Sequence, residues 1–130
     1  MKKLFFTLLF VATSLFAQLT NKYPTQELID SKIPIVDIRT QPEWVETGIL
    51  KGAIPIMFFN EQGDYNVQAF LEKLNKKVDT KKQFAIICRT SSRTKIVADF
   101  LSKQMKYNVV DLKGGMVYAK KKNLSIVPYR

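Results

Sequence analysis

Short apolar runs and amphipathic segments alternate along the chain. The apolar runs are rich in branched aliphatic residues and occupy positions 33–38, 53–56, 84–87 and 109–112. Runs of this length and composition are typical of strands buried on both faces of a parallel sheet. Between them, apolar residues recur at helical spacing after Thr25, after Asn66, and from Ile96 to about Met105, and Thr25 and Asn66 are favourable helix N-caps. The alternation predicts an α/β domain with a small, mostly parallel sheet flanked by helices.

The first 17 residues follow a different pattern. Lys2 and Lys3 precede an apolar run of about 14 residues that ends at Ala17, which is shorter than the roughly 20 residues that span a bilayer. This arrangement predicts a secretory signal peptide at residues 1–17, with an uncleaved membrane anchor as the alternative. We therefore expect residues 18–130 to form one exported domain, periplasmic in a Gram-negative cell and free of the membrane after cleavage.

The chain is strongly basic, with a formal net charge of +10. Lysines supply most of the excess, and they cluster without interleaved arginines or aromatic residues. Nucleic-acid binding is therefore disfavoured, and we expect no nucleic-acid partner. A solvated surface is the simplest interpretation of the lysines, and the same charge favours encounter with small anions.

One cysteine and no histidine are present. An unpaired thiol in an oxidising compartment indicates reactivity, because disulfides are the usual state there. The lack of histidine excludes every Cys–His and Ser–His catalytic pair and most zinc sites.

Cys88 is the candidate nucleophile. It follows the predicted strand at 84–87, and a polar loop separates it from a helix that is predicted to begin near Ser92. Parallel α/β sheets bind ligands at this edge. Loop N–H groups, the helix dipole and the charges of Arg89 and Arg93 would all favour the reactive thiolate over the thiol.

The length of this loop limits which chemical groups it can bind. Four residues separate Cys88 from Arg93, and position 94 is Thr94, so the pattern is C-x4-R. Cysteine phosphatases have five residues between the cysteine and the arginine. The shorter loop makes a smaller cradle, which suits a terminal sulfur better than a phosphate. A small cysteine phosphatase or arsenate reductase remains a less favoured alternative.

Three motifs in order resemble the rhodanese domains. The loop CRTSSRT is similar to the family's active loop. Residues 36–56, VDIRTQPEWVETGILKGAIPI, resemble its Asp-x-Arg, Glu-aromatic and Gly-x-x-x-Gly-Ala signature. Residues 112–128, LKGGMVYAKKKNLSIVP, resemble its closing strand, Gly-Gly turn and last helix. Together the motifs extend over nearly all of residues 24–128.

The resemblance implies a monomeric sulfurtransferase that works by a ping-pong cycle and needs neither a metal nor an organic cofactor. Cys88 would take the outer sulfur of a donor such as thiosulfate as a persulfide and pass it to cyanide or a thiol, and a protein could serve as donor or acceptor. The loop residues would bind the anionic donor: Arg89, Thr90, Ser91, Ser92 and Arg93. A non-catalytic domain of the same fold that binds a partner protein is the main alternative.

Three further residues complete the sequence-based expectations. The family's loop commonly has glycine where Ser91 stands, and serine would be strained if a positive φ is required there. Asp37 and Arg39 are expected to fix the loop after their strand through charge pairing, in preference to direct substrate contact.

Overall fold

A five-stranded parallel sheet forms the centre of the protein. The structure is a computed structural model that describes residues 17–130. The strand order is β1-β6-β5-β2-β4, and a separate antiparallel pair joins β3 to β7. The strands are β1 (Leu19–Lys22), β2 (Ile35–Asp37), β3 (Ile49–Leu50), β4 (Ile54–Pro55), β5 (Phe84–Ile87), β6 (Val109–Leu112) and β7 (Ile126–Val127). The expected fold, a small mostly parallel α/β sheet, is confirmed.

Five helices cover the two faces of the sheet. They are α1 (Gln26–Asp30), α2 (Gln41–Thr47), α3 (Val67–Lys77), α4 (Ser92–Lys103) and α5 (Gly115–Lys121). The two predicted N-caps are present: Thr25 Oγ1 accepts from the Leu28 N–H at 3.1 Å, and Asn66 Oδ1 accepts from the Ala69 N–H at 3.0 Å. Each cap satisfies an amide that the helix leaves without a partner.

Strand β5 is buried on both faces, and its alternation divides the core into two layers. Phe84 and Ile86 pack with apolar residues of α3 and α4, whereas Ala85 and Ile87 pack with those of α1 and α5. Because side chains alternate along a strand, Cys88 continues the first set. The thiol therefore lies on the α4 side of the sheet, within the same core cluster as Phe84 and Ile86.

The apolar runs at 84–87 and 109–112 form the strands β5 and β6, as predicted. Strand β1 and the β3–β7 pair were not predicted. Strand β1, of sequence LTNK, has no strong apolar pattern and forms by pairing in parallel with β6. The β3–β7 pair joins segments far apart in the chain, with Ile49 opposite Val127. Within residues 17–130 no helix is long and apolar enough to cross a membrane. The predicted signal peptide at 1–17 lies, apart from Ala17, outside the described residues.

Candidate active site

The carboxyl ends of three neighbouring strands meet around Cys88. Strand β5 runs between β2 and β6, Cys88 follows its last residue, and α4 begins at Ser92 as the sequence predicts. The thiol is fully buried. The Ser91 N–H donates to its sulfur at 3.2 Å, and Thr94 Oγ1 lies 3.6 Å from the sulfur on the first turn of α4. The loop therefore directs one amide and one hydroxyl at the sulfur, and both can donate to a thiolate.

Ser91 adopts the positive-φ backbone conformation in which a serine is expected to be strained. Its φ is 97°, in the left-handed region that glycine adopts at little cost. The Ser91 side chain compensates in part, because its hydroxyl donates to the Thr90 carbonyl and accepts from the Gly114 N–H at 3.2 Å. A non-glycine residue in this region costs on the order of 1 kcal/mol. The loop thus stores strain directly beside the sulfur.

The first turn of α5 is packed against the backbone of the loop. The carbonyl of Cys88 accepts from the Met116 N–H at 2.9 Å, and that of Arg89 accepts from the Val117 N–H at 3.1 Å. Gly115 makes this approach possible, since a Cβ there would collide with both carbonyl oxygens. The Gly-Gly pair, expected as a turn, is therefore also required for the close contact between α5 and the loop.

Arg93 forms a two-pronged ion pair with Glu43 of α2. Its Nη1 and Nη2 lie 2.6 and 2.7 Å from the two carboxylate oxygens, and both side chains are about one quarter exposed. Hydrogen bonding to Arg93 is the main reason why the pKa of Glu43 is lowered to about 2, against the opposing effect of burial. Arg93 therefore ties the start of α4 to α2, although the sequence suggested that it orients the donor.

Glu43 was not identified as a site residue from the sequence. The available signal was the Glu-aromatic pair of the 36–56 motif, which places Glu43 in the first turn of a helix. In the structure it also completes a capping box, because its carboxylate accepts from the Thr40 backbone N–H at 3.4 Å, and it accepts from the Thr40 hydroxyl at 3.0 Å as well. One carboxylate thus caps α2 and holds Arg93.

A second ion pair fixes the end of β2. Asp37 and Arg39 are almost fully buried, with Arg39 Nη2 2.8 Å from Asp37 Oδ2. Arg39 also donates to the Gly48 carbonyl at 2.8 Å, and the indole N–H of Trp44 donates to Asp37 Oδ1 at 3.0 Å. The two residues thus contact each other and their neighbouring backbone, the arrangement expected for fixing the loop after the strand.

Comparison with known proteins agrees with this geometry. Residues 20–122 match the family described as Rhodanese-like domain. The chain belongs to this family. A protein of Rickettsia prowazekii (strain Madrid E), RP600, is 32% identical over 90 residues, which cover 65% of this chain and 72% of that protein.

Solved structures show the same fold at lower identity. Rv0390 of M. tuberculosis is similar with a TM-score of 0.60 and 17% identity, over 75% of this chain and 80% of that one. A rhodanese-like domain protein of Staphylococcus aureus gives a TM-score of 0.54 and 22% identity, over 77% and 88% of the two chains.

A small cavity of about 280 Å³ lies beside the loop of this rhodanese-like domain. Its lining includes Arg89 from the loop, Val117 and Lys120 from α5, and Glu43 and Thr47 from α2. Thr90 and Ser92 are exposed on the loop surface, and Ser91 is half-buried. A larger groove of about 1040 Å³ runs along α2 and α3, but no residue of the 88–94 loop lines it. The cavity beside Arg89 is therefore the candidate place for a ligand.

Proposed function

We propose that this rhodanese-like domain is a sulfurtransferase that carries sulfane sulfur as a persulfide on Cys88. The single observation that supports this most strongly is the position of Cys88 at the strand end, with the Ser91 amide 3.2 Å from its sulfur. A thiolate, and the persulfide formed from it, are anions that such a loop stabilises. A donor such as thiosulfate matches the basic charge of the chain.

The first half of the cycle loads the sulfur. The Cys88 thiolate attacks the outer sulfur of thiosulfate, a new S–S bond forms, and the old S–S bond breaks with its electron pair leaving on sulfite. The negative charge of the enzyme then lies on the outer sulfur of the persulfide. The Ser91 N–H, which donates to the Cys88 sulfur, would help to hold this charge.

The second half of the cycle returns the thiolate. A thiol acting as its thiolate, or cyanide, attacks the outer sulfur, and the bond to the inner sulfur breaks. The electron pair of that bond remains on Cys88. The products are a persulfide of the acceptor, or thiocyanate, and the protein begins the next cycle unchanged.

Arg89 and Lys120 supply positive charge to the cavity in which we place an incoming donor. They line the same cavity and are both exposed. Arg93 contributes chiefly by fixing the loop, because its donors are engaged by Glu43. We assign anion binding to Arg89, Lys120 and the loop polar groups, and loop geometry to Arg93.

Access to the sulfur requires movement of the loop. Cys88 has no exposed surface, whereas Thr90 is exposed and Ser91 is half-buried. The strained Ser91 backbone is the natural place for that movement, since its φ of 97° is unfavourable for serine.

Intact-protein mass spectrometry after incubation with thiosulfate tests the proposal. One added sulfur atom, about 32 Da, is expected on the chain and none on a Cys88→Ser variant, because the thiol is the nucleophile. Brief treatment with cyanide should remove the added mass. No adduct with thiosulfate or with organic persulfide donors would contradict the proposal and favour a partner-binding domain.

We also propose export to the periplasm of a Gram-negative cell. The Lys2, Lys3, apolar run and Ala17 pattern supports it. N-terminal sequencing of the protein recovered from a periplasmic fraction should find Gln18 at or near the start. Recovery with Met1 intact from membranes would favour an anchor.

A further inference from the structure

A buried carboxyl group lies behind Cys88 on the adjacent strand. Asp111 of β6 is opposite Ile86 of β5 in the parallel register, and only 4% of it is exposed. Paired residues share a face of the sheet, so Asp111 lies on the α4 side together with Ile86 and Cys88. Helix α4, whose first turn carries Thr94, packs over this face.

Among residues 17–130, Asp111 Oδ1 is the one buried side-chain oxygen or nitrogen that has no hydrogen-bond partner. Leaving a buried acceptor unpaired costs free energy, so such groups are rare and often mark a reactive site. Burial is also the main reason why the pKa of Asp111 is raised, and the Thr94 hydroxyl lowers it in part. The carboxyl group is therefore a better proton acceptor than an exposed aspartate.

Thr94 contacts the reactive sulfur from the side of the sheet on which Asp111 lies. The Cys88 thiol donates to Thr94 Oγ1 at 3.6 Å, and the Thr94 hydroxyl donates in turn to the Ser91 carbonyl at 3.2 Å. The same hydroxyl is close enough to Asp111 to affect its pKa. A hydroxyl has one proton to donate, so Ser91, Asp111 and a Cys88 thiolate compete for it.

We propose that Asp111 takes up the Cys88 proton through the Thr94 hydroxyl. The S–H proton passes to Thr94 Oγ1, and Thr94 passes its own proton to the Asp111 carboxylate. A thiol and a carboxylate become a thiolate and a neutral carboxyl group, with no change in net charge. Asp111 does not contact the substrate, and it is a positioning residue that acts through Thr94.

The charges around the three groups fit this role. The positive charges of Lys113, next to β6, and Lys95, on α4, lower the pKa of Asp111 and so favour its ionised form before transfer. Arg93, also on α4, is held in an ion pair with Glu43. The neighbour of Asp111 on β1 is Asn21, which does not titrate. The chain has no histidine, so no imidazole is available to accept the proton.

The relay rests on the proposed function for its purpose, which is to supply the thiolate that attacks the donor and to stabilise it again when the acceptor releases it. Once the persulfide forms, the negative charge has left the inner sulfur. When an acceptor removes the outer sulfur, the returning thiolate again receives a hydrogen bond from Thr94, while neutral Asp111 donates to Thr94 Oγ1.

A pH titration of the thiolate tests the relay without any sulfur donor. The thiolate is followed by its ultraviolet absorbance, and the absorbance of the Cys88→Ser variant is subtracted. When two groups share one proton, the pair ionises in two steps, and neither step can be assigned to one group alone. We expect the thiolate of the unmodified chain to appear in two steps, and that of Asp111→Asn in one, with the step at acidic pH lost. Asp99→Asn, which removes an exposed carboxylate of α4, should keep both steps.

Substitution of Thr94 provides an independent test. Thr94→Val should lose the acidic step because it lacks the hydroxyl, whereas Thr94→Ser should retain it. A single step in the unmodified chain, or two steps in Asp111→Asn or Thr94→Val, would overturn the relay. The absorbance measurement needs no sulfur donor, so it tests the relay separately from persulfide formation. The two steps can be present without persulfide formation, and the persulfide can form without the two steps.

Discussion

Two buried aspartates flank the strand that ends at Cys88, and their surroundings differ sharply. Asp37, on β2, accepts from the Arg39 side chain, the Arg39 backbone N–H and the Trp44 indole at 2.8–3.1 Å. Asp111, on β6, has an oxygen without a partner, although it is buried almost as deeply. The residue type and the depth are similar, and the number of donors is not.

The comparison separates structural from reactive carboxylates. Donors that surround an ionised carboxylate hold both its charge and its position, so Asp37 is suited to fixing the end of β2. A buried carboxylate without such donors is held less firmly in its ionised form and can exchange a proton with its neighbours. Asp37, on the β2 side of Cys88, therefore fixes the position of its strand end, whereas Asp111, on the β6 side, is suited to proton exchange.

Breaking the Asp37–Arg39 pair should give the largest effect on stability. Asp37→Ala leaves Arg39 buried and without its main partner, and we expect a loss of about 3–5 kcal/mol in the free energy of unfolding. Urea denaturation measures it. The matched control is Asp99→Ala, which breaks an exposed pair with Lys103 and should cost less than about 1 kcal/mol. Equal losses in the two variants would contradict the structural role of Asp37.

The Glu43–Arg93 pair should give an intermediate effect, seen mainly in activity. Arg93→Lys keeps the charge but loses the two-pronged contact with Glu43, and we expect it to lose most of its turnover with thiosulfate, as should Glu43→Gln. Arg89→Ala should instead raise the KM more than it lowers kcat, because Arg89 contributes binding only. A Glu43→Gln variant with full activity would show that the pair does not fix the loop.

The same pair predicts a pH dependence of stability. The pKa of Glu43 is lowered from 4.5 to about 2 in the folded protein, so its contribution to stability is present above about pH 4.5 and is lost as the pH falls toward 2. Glu43→Gln should therefore lose less stability than the unmodified chain over this range. Urea midpoints measured across it provide the check.

The sequence predicted the parts of the fold and site that depend on local pattern. The run FAII and the polar loop after it placed Cys88 at a strand end, and Thr25 and Asn66 marked their helices correctly. Pairings between distant segments had no local signal: Glu43 meets Arg93 across 50 residues, and β3 meets β7 near the carboxyl end. The partnerless oxygen of Asp111 also depends on packing, because its strand sequence VVDL does not show which donors will lie nearby.

Replacement of Asp111 should give the smallest effect on stability. It should raise the free energy of unfolding, whereas replacement of Asp37 should lower it. Burial raises the pKa of Asp111, so the folded state binds its proton more tightly than the unfolded state does. Stability from this group therefore falls as the pH rises through the raised pKa, and the ionised carboxylate destabilises the protein above it.

Asp111→Asn removes the charge and keeps the shape, so it should raise the free energy of unfolding at neutral pH by about 1 kcal/mol, because a neutral amide costs less to bury than an ionised carboxylate. Urea denaturation at neutral and acidic pH should show the gain shrinking as the pH falls, because the unmodified carboxyl group then becomes neutral. Asp37→Asn measured in parallel should lose stability under the same conditions. A loss in Asp111→Asn as large as that in Asp37→Asn would mean that both aspartates are structural and that the difference between the two sides of Cys88 is not functional.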